Sequence, residues 1–164
     1  MPTNIVEGDL LVRGRVVPES LTLPSGSVVS DSVQAGANLN ADKLEQREYV
    51  SHAQPNSAAT TETRTLFVAR RAGTVNEVIA GSIAKAIGDS TVTVDVKKNG
   101  TTILSSVITL DNANTARVAE VGTLSGSGAF VADDWFEVVI TATVGTGTLP
   151  TGVFAQMEID TNGA

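Results

Sequence analysis

The chain has 164 residues, 41% of them hydrophobic, which suits one ordinary domain with a substantial appendage and excludes two full-sized domains. Fifteen glycines, abundant Thr, Val and Ser, and a charged fraction of 18% favour strands and turns over helix bundles, with a core of Val, Ile, Leu and Ala because only four Phe, one Trp and one Tyr are present. A net charge of −7 repels polyanions, so no nucleic-acid partner is expected, and the absence of cysteine excludes disulfides and thiolate metal sites.

The first twelve residues, MPTNIVEGDLLV, carry two acids and lack both a basic start and an apolar run, so no signal peptide is expected. No stretch reaches the roughly 18–20 apolar residues of a membrane span, and no membrane partner is expected either. Residues 4–23 alternate imperfectly, with Gly8 and Gly14 as breaks and Pro18 and Pro24 barring a central strand, which predicts short strands at an edge or in an intertwined oligomer. In residues 23–47, LPSGSVVSDSVQAGANLNADKLEQR, small residues alternate with single medium apolar ones. Too little area can be buried there to offset about 1–2 kcal/mol of backbone entropy per residue, so this segment must order on a partner surface. Asp42 and Glu45 have the spacing of a capping box for a helix of two turns at most. The small, polar stretch around Pro55 reads as a flexible or extended spacer.

From Arg64 the pattern changes to strands. Runs at 65–70 and 74–84 are separated by Gly73. Asn99-Gly100 then sits between two alternating runs, the preferred pair for a type I′ hairpin turn. Pairing across it places Val96 opposite Ile103 and Val92 opposite Val107, and the apolar parity shift beyond Ser105-Ser106 predicts a bulge or bend. A further strand is expected within 115–124. The next faces Phe136, Val138, Ile140, Ala142 and Val144 inward, and the last faces Val153, Ala155, Met157 and Ile159 inward. The sum is an all-β chain. Residues 1–50 form an extended, short-stranded N-terminal arm, 51–63 a polar spacer, and 64–164 an antiparallel β-sandwich of jelly-roll type.

Chemistry is sparse. His52, the single histidine, lies in the spacer, so a triad base there would be mobile, and an exposed loop histidine is expected. Asp133-Asp134 reads as a loop cap. Asp111, Asn112 and Asn114 offer oxygen ligands without the acidic pattern of an EF-hand, and SGSG at 125–128 lacks the Lys and helix of a phosphate loop. The basic pairs Arg13/Arg15, Arg70/Arg71 and Lys97/Lys98 have no interleaved aromatics. Trp135 and Tyr49 are the candidates for a glycan platform, with Trp135 expected to close one end of the sandwich instead. No active site, cofactor or metal is expected.

Taken together, residues 23–47, the spacer, TVTVDVKKNGTTILSSVITL and the ending GTGTLPTGVFAQMEID resemble virion proteins of tailed bacteriophages described as decoration (cement) or head-fibre proteins. The resemblance covers most of the chain. It implies a homotrimer on the outer surface of the virion, its arm seated on the major capsid protein and its sandwich projecting outward, with Val28, Val33, Ala35, Ala37, Leu39 and Leu44 as contact positions of the arm. Related sandwiches also occur in tail and receptor-binding components, which keeps a host-recognition module binding surface glycans as the alternative.

Overall fold

Residues 47–161 are described by a computed structural model. The arm positions Val28, Val33, Ala35, Ala37, Leu39 and Leu44 and the 42–45 capping box lie outside the described residues.

Ten strands and no helix are found among the described residues: β1 (Arg47–Ala53), β2 (Glu62–Val68), β3 (Gly73–Gly81), β4 (Thr91–Lys98), β5 (Thr101–Thr102), β6 (Ile108–Leu110), β7 (Glu120–Gly122), β8 (Ala129–Phe130), β9 (Trp135–Thr143) and β10 (Phe154–Asp160). One sheet runs β1-β10-β3-β7, with β8 also on β3. The other runs β2-β9-β4-β5, with β6 also on β4. All neighbours are antiparallel. If β5 and β6 are taken as one interrupted strand, and β7 and β8 as another, successive strands change sheet at every connection except the β4–β5 hairpin. That order is a jelly roll.

The hairpin follows from its turn residues. Asn99 and Gly100 both have positive φ, 51° and 81°, as a type I′ turn requires. Lys97 pairs with Thr102, and Ile103 N–H donates to the Val96 carbonyl at 2.9 Å, as the turn predicts. Further along, Val92 stands opposite Leu110 instead of Val107. The reason is the bulge: residues 104–107 leave the ladder and the chain bonds the other sheet, where Ser105 N–H donates to Thr123 O and Ser125 N–H to Ile103 O, both at 2.8 Å. The two sheets are laced together along this edge. A second bulge, at Asn76, lets both Val75 and Val78 face inward from β3.

The core is built as the alternation dictates. Val92, Val94, Val96, Phe136, Val138 and Ile140 from one sheet meet Val75, Val78, Ala155, Met157 and Ile159 from the other, each essentially without solvent exposure. Val144 is an exception to the expected inward face and is 70% exposed, because β9 ends at Thr143. The 115–124 run is strand only at β7, since Arg117 adopts a φ of 62° and its N–H bonds Ser82 O. Gly73 is where the backbone must be bare: a Cβ there would lie 2.3 Å from the Asp160 carbonyl and 2.5 Å from the Phe130 ring.

The sandwich begins at Arg47, earlier than the change of pattern at Arg64. β1 and β2 take up residues 51–53 and 62–63, the two ends of the stretch that composition alone reads as spacer. REYVSHA forms a strand because β10 offers it a complete antiparallel partner, from Arg47↔Asp160 to Ala53↔Phe154. An edge strand with only Val50 packed against the core shows little alternation of its own.

Connections gather at two ends. At one, the β3–β4 and β9–β10 loops bridge at Ala84↔Thr151 and Ile87↔Thr148, and the β1–β2 loop joins them at Ala58↔Thr151. Ile83, Ile87, Val118 and Val144 are exposed on the loops of this end. At the other end lie Arg47, Asp160, the Arg70-Arg71 turn, the Asn99-Gly100 turn and the β8–β9 turn, joined by Asp133 N–H to Ala69 O and Asn99 N–H to Trp135 O, both at 2.8 Å.

Candidate functional site

Two convergences of polar side chains stand out among the described residues, and both join elements distant in sequence. The first lies along the free edge where β1 and β2 face each other from opposite sheets. Glu62 receives three partners there: a His52 ring nitrogen at 2.9 Å and Gln54 Nε2 at 2.7 Å on Oε1, and Arg64 Nε at 2.8 Å on Oε2. Gln54 is 7% exposed and also donates to Thr60 O at 2.6 Å, while its own Oε1 accepts Thr60 N–H. The hydrogen bonds from His52, then Arg64, then Gln54 hold the Glu62 carboxyl down at about 2. The arrangement is a carboxylate latch across the open side of the sandwich, opposite the laced edge.

His52 is therefore neither a loop residue nor freely exposed. Its place on β1, with an inward neighbour parity shared by Val50 and Gln54, turns the ring toward Glu62, and its side chain is 23% exposed. A ring nitrogen bound to a carboxylate resembles the orienting half of a triad, but among the described residues no serine hydroxyl is bonded to the ring.

The second convergence is at the end carrying Arg47. Asp134 is the loop cap its position predicts. Its Oδ2 accepts the Val131 N–H at 2.9 Å, its Oδ1 accepts Asn99 Nδ2 at 2.7 Å, and Lys98 Nζ stands 3.7 Å away. The Val131 amide, then Asn99, then the Lys98 charge keep its carboxyl below the usual carboxylate range. Asp133 is exposed with φ 69° and does not pair with it as a second acid. Next to this junction a cleft of about 230 Å³ opens between Lys98, Thr101, Thr102 and the 125–128 loop. Lys98 Nζ already donates to Ala129 O at 2.7 Å.

Asp111 and Asn114 are occupied by their own turn: Asn114 Oδ1 accepts Asp111 N–H, Asp111 Oδ1 accepts Ala113 N–H at 2.8 Å, and Asn114 Nδ2 reaches Glu120. Among the described residues no group of three or more His, Asp and Glu side chains is placed to hold a metal. Among the described residues no helix is long and apolar enough to cross a membrane. Trp135, 47% exposed, and Tyr49, 63% exposed, are not brought together. Each points outward from a different sheet, since their neighbours Phe136 and Val50 face the core. On the same outer face, six residues along β9 from Trp135, Thr141, Thr93 and Thr109 form one row across β9, β4 and β6.

The latch and the Asn99–Asp134 contact escape sequence reading because Glu62 meets His52 and Gln54 ten and eight residues back on another strand and its loop, Asn99 meets Asp134 35 residues on, and neither set forms a motif. The one local signal was the Asn-Gly turn, which places Asn99 beside β9.

No family model matches the chain, and no curated protein matches it. Among solved structures it is similar to the cyanophage Pam1 capsid asymmetric unit, at 16% identity over 83% of this chain and 99% of that chain, with a TM-score of 0.49. It is also similar to infectious bursal disease virus, Gt strain, at 10% identity over 87% of this chain and 42% of that one, TM-score 0.34. Desmodium yellow mottle tymovirus gives 9% identity over 96% and 95%, TM-score 0.31. Likenesses of this size leave function to be argued from the chain itself.

Proposed function

We propose that the protein is a structural component of a virus particle: a homotrimeric decoration or head-fibre protein on the outer surface of a phage head, where it clamps the major capsid protein and carries out no reaction. The observation that carries this reading is the jelly-roll strand order, with the polypeptide entering at Arg47 after a long segment of small residues. Jelly rolls serve capsid domains, lectins and cupins alike. The sequence resemblance to phage decoration proteins selects among these uses. The polar side chains support it too, since the carboxylates of Glu62 and Asp134 are engaged in holding strands together. Three arms on one trimer attach with high effective concentration, so modest contacts by each suffice.

Light scattering on the full chain should give a concentration-independent mass of about 51 kDa, from three chains of 16.9 kDa. The protein should co-sediment with phage heads that lack it, and removal of residues 1–46 should abolish this while leaving the β-sheet circular dichroism spectrum intact. A monomeric chain, or a truncated protein that still decorates heads, defeats the proposal.

Trp135 favours a second reading, recognition of a host glycan, because half of an indole at a sheet face can stack on a sugar ring. A glycan array decides it: selective binding lost in Trp135→Ala would establish this role, and a blank array would remove it.

A further inference from the structure

The pair that makes the β4–β5 turn, Asn99-Gly100, is also the dipeptide best suited to lose its side-chain amide, because glycine leaves the following backbone nitrogen unhindered. In that reaction the Gly100 nitrogen gives up its proton and attacks Asn99 Cγ, and the Cγ–Nδ2 bond breaks. Ammonia leaves and a five-membered succinimide remains. Solvent water then adds to one of the two ring carbonyls, and the opened product is aspartate or isoaspartate at position 99. Nothing is oxidised or reduced.

Solvent can reach the turn. Gly100 has no heavy atom within 4 Å of where a Cβ would stand, and Asn99 is exposed. The side chain of Asn99 is nevertheless held. Its Oδ1 accepts the Trp135 N–H at 2.8 Å, its Nδ2 donates to Asp134 Oδ1 at 2.7 Å, and its own N–H donates to Trp135 O at 2.8 Å. Attack requires Cγ to swing onto the Gly100 nitrogen, which breaks both side-chain bonds. Asp134 is itself fixed by Val131 N–H and Lys98. The clamp and the reactive bond thus share one residue.

We propose that Asn99 is a latent deamidation site gated by the Asp134–Trp135 clamp, so that it reacts only when the turn detaches from the start of β9. The product would perpetuate the opening. Replacing Nδ2 by an anionic oxygen removes the donor to Asp134 and sets two carboxylates against each other beside a single lysine. The turn would then stay detached from β9, and the change would accumulate with the age of the protein.

The test incubates the full chain in warm, mildly alkaline buffer, folded and in concentrated urea, and follows each asparagine by peptide mapping with isoaspartate detection. Asn162-Gly163, the second such pair in the sequence, serves as the comparison in urea, where the two should react alike. Folded protein should modify Asn99 at least about tenfold more slowly than unfolded protein, because exchange into the reactive geometry requires local opening. Asp134→Ala should raise the folded rate several-fold with circular dichroism unchanged. Should that variant fail to fold, Asp134→Asn, which keeps an acceptor but loses the charge, should give an intermediate rate. Equal rates at Asn99 in folded and unfolded protein would overturn the proposal, as would folded Asp134 variants that react no faster than the parent.

Discussion

Phe136→Ala is expected to lower the stability of the sandwich by about 3–5 kcal/mol, the upper range for a buried aromatic truncated in a core. Three of the four phenylalanines meet at this point. Phe136 lies 5.9 Å from Phe67 and 5.5 Å from Phe130 between ring centroids, and Phe67 and Phe130 are 6.0 Å apart. The contacts involving Phe130 are near edge-to-face, the favourable arrangement for rings. The rest of the core is Val, Ala, Ile, Leu and Met on paired strands, and such backbones cannot close over a vacated ring. Gly73 already lets β3 approach Phe130 as closely as a backbone can. Phe136→Leu, which keeps most of the volume, should cost about 1–2 kcal/mol. Urea denaturation monitored by Trp135 fluorescence measures both. A loss below about 1 kcal/mol for the alanine variant would mean that the cluster repacks and that the sandwich does not depend on it.

Glu62→Gln should cost about 1–3 kcal/mol near neutral pH, because three donors aimed at a carboxylate would meet a neutral amide, one of whose atoms is itself a donor. The pH dependence separates this from ordinary loss of a contact. The Glu62 carboxyl is lowered from 4.5 to about 2 in the folded protein, so its contribution is fully present above pH 4.5 and is lost as the pH falls from 4.5 through about 2. The gap in stability between parent and variant should therefore narrow over that window and be constant above it. Denaturation midpoints collected across the acid range provide the check. A gap independent of pH would show that the latch does not depend on the charge of Glu62.

Much of this fold was legible in the residues. β9 and β10 alternate cleanly because both are central strands with one face on the core, and the Asn-Gly turn announces its hairpin through two positive φ angles. β1 was hidden for the opposite reason. It is an edge strand whose identity depends on seven residues of β10 more than a hundred positions away, and a local pattern cannot register that. The displaced partner of Val92 has a similar cause: the parity change after Ser106 reveals a bulge, but how many residues it absorbs is set by where Leu104 meets Leu124. For the candidate sites, Asp134 was readable as a cap because its partner Val131 is three residues back. The role of Glu62 was not, since the hydrogen bonds that lower its carboxyl come from two strands in different sheets.

The register of β1 on β10 also sets Arg47 directly opposite Asp160, with an ion pair of 3.7 Å between them. Because the sandwich starts and finishes side by side, a short peptide joining those two positions would make a closed circle of the same strands. Such a circle can be reopened at Gly126, where the backbone has open space around it, to yield a permuted protein whose ends emerge on the flank of the molecule. Cargo displayed from the Gly126 loop would leave from the laced edge, across the sheets from β1.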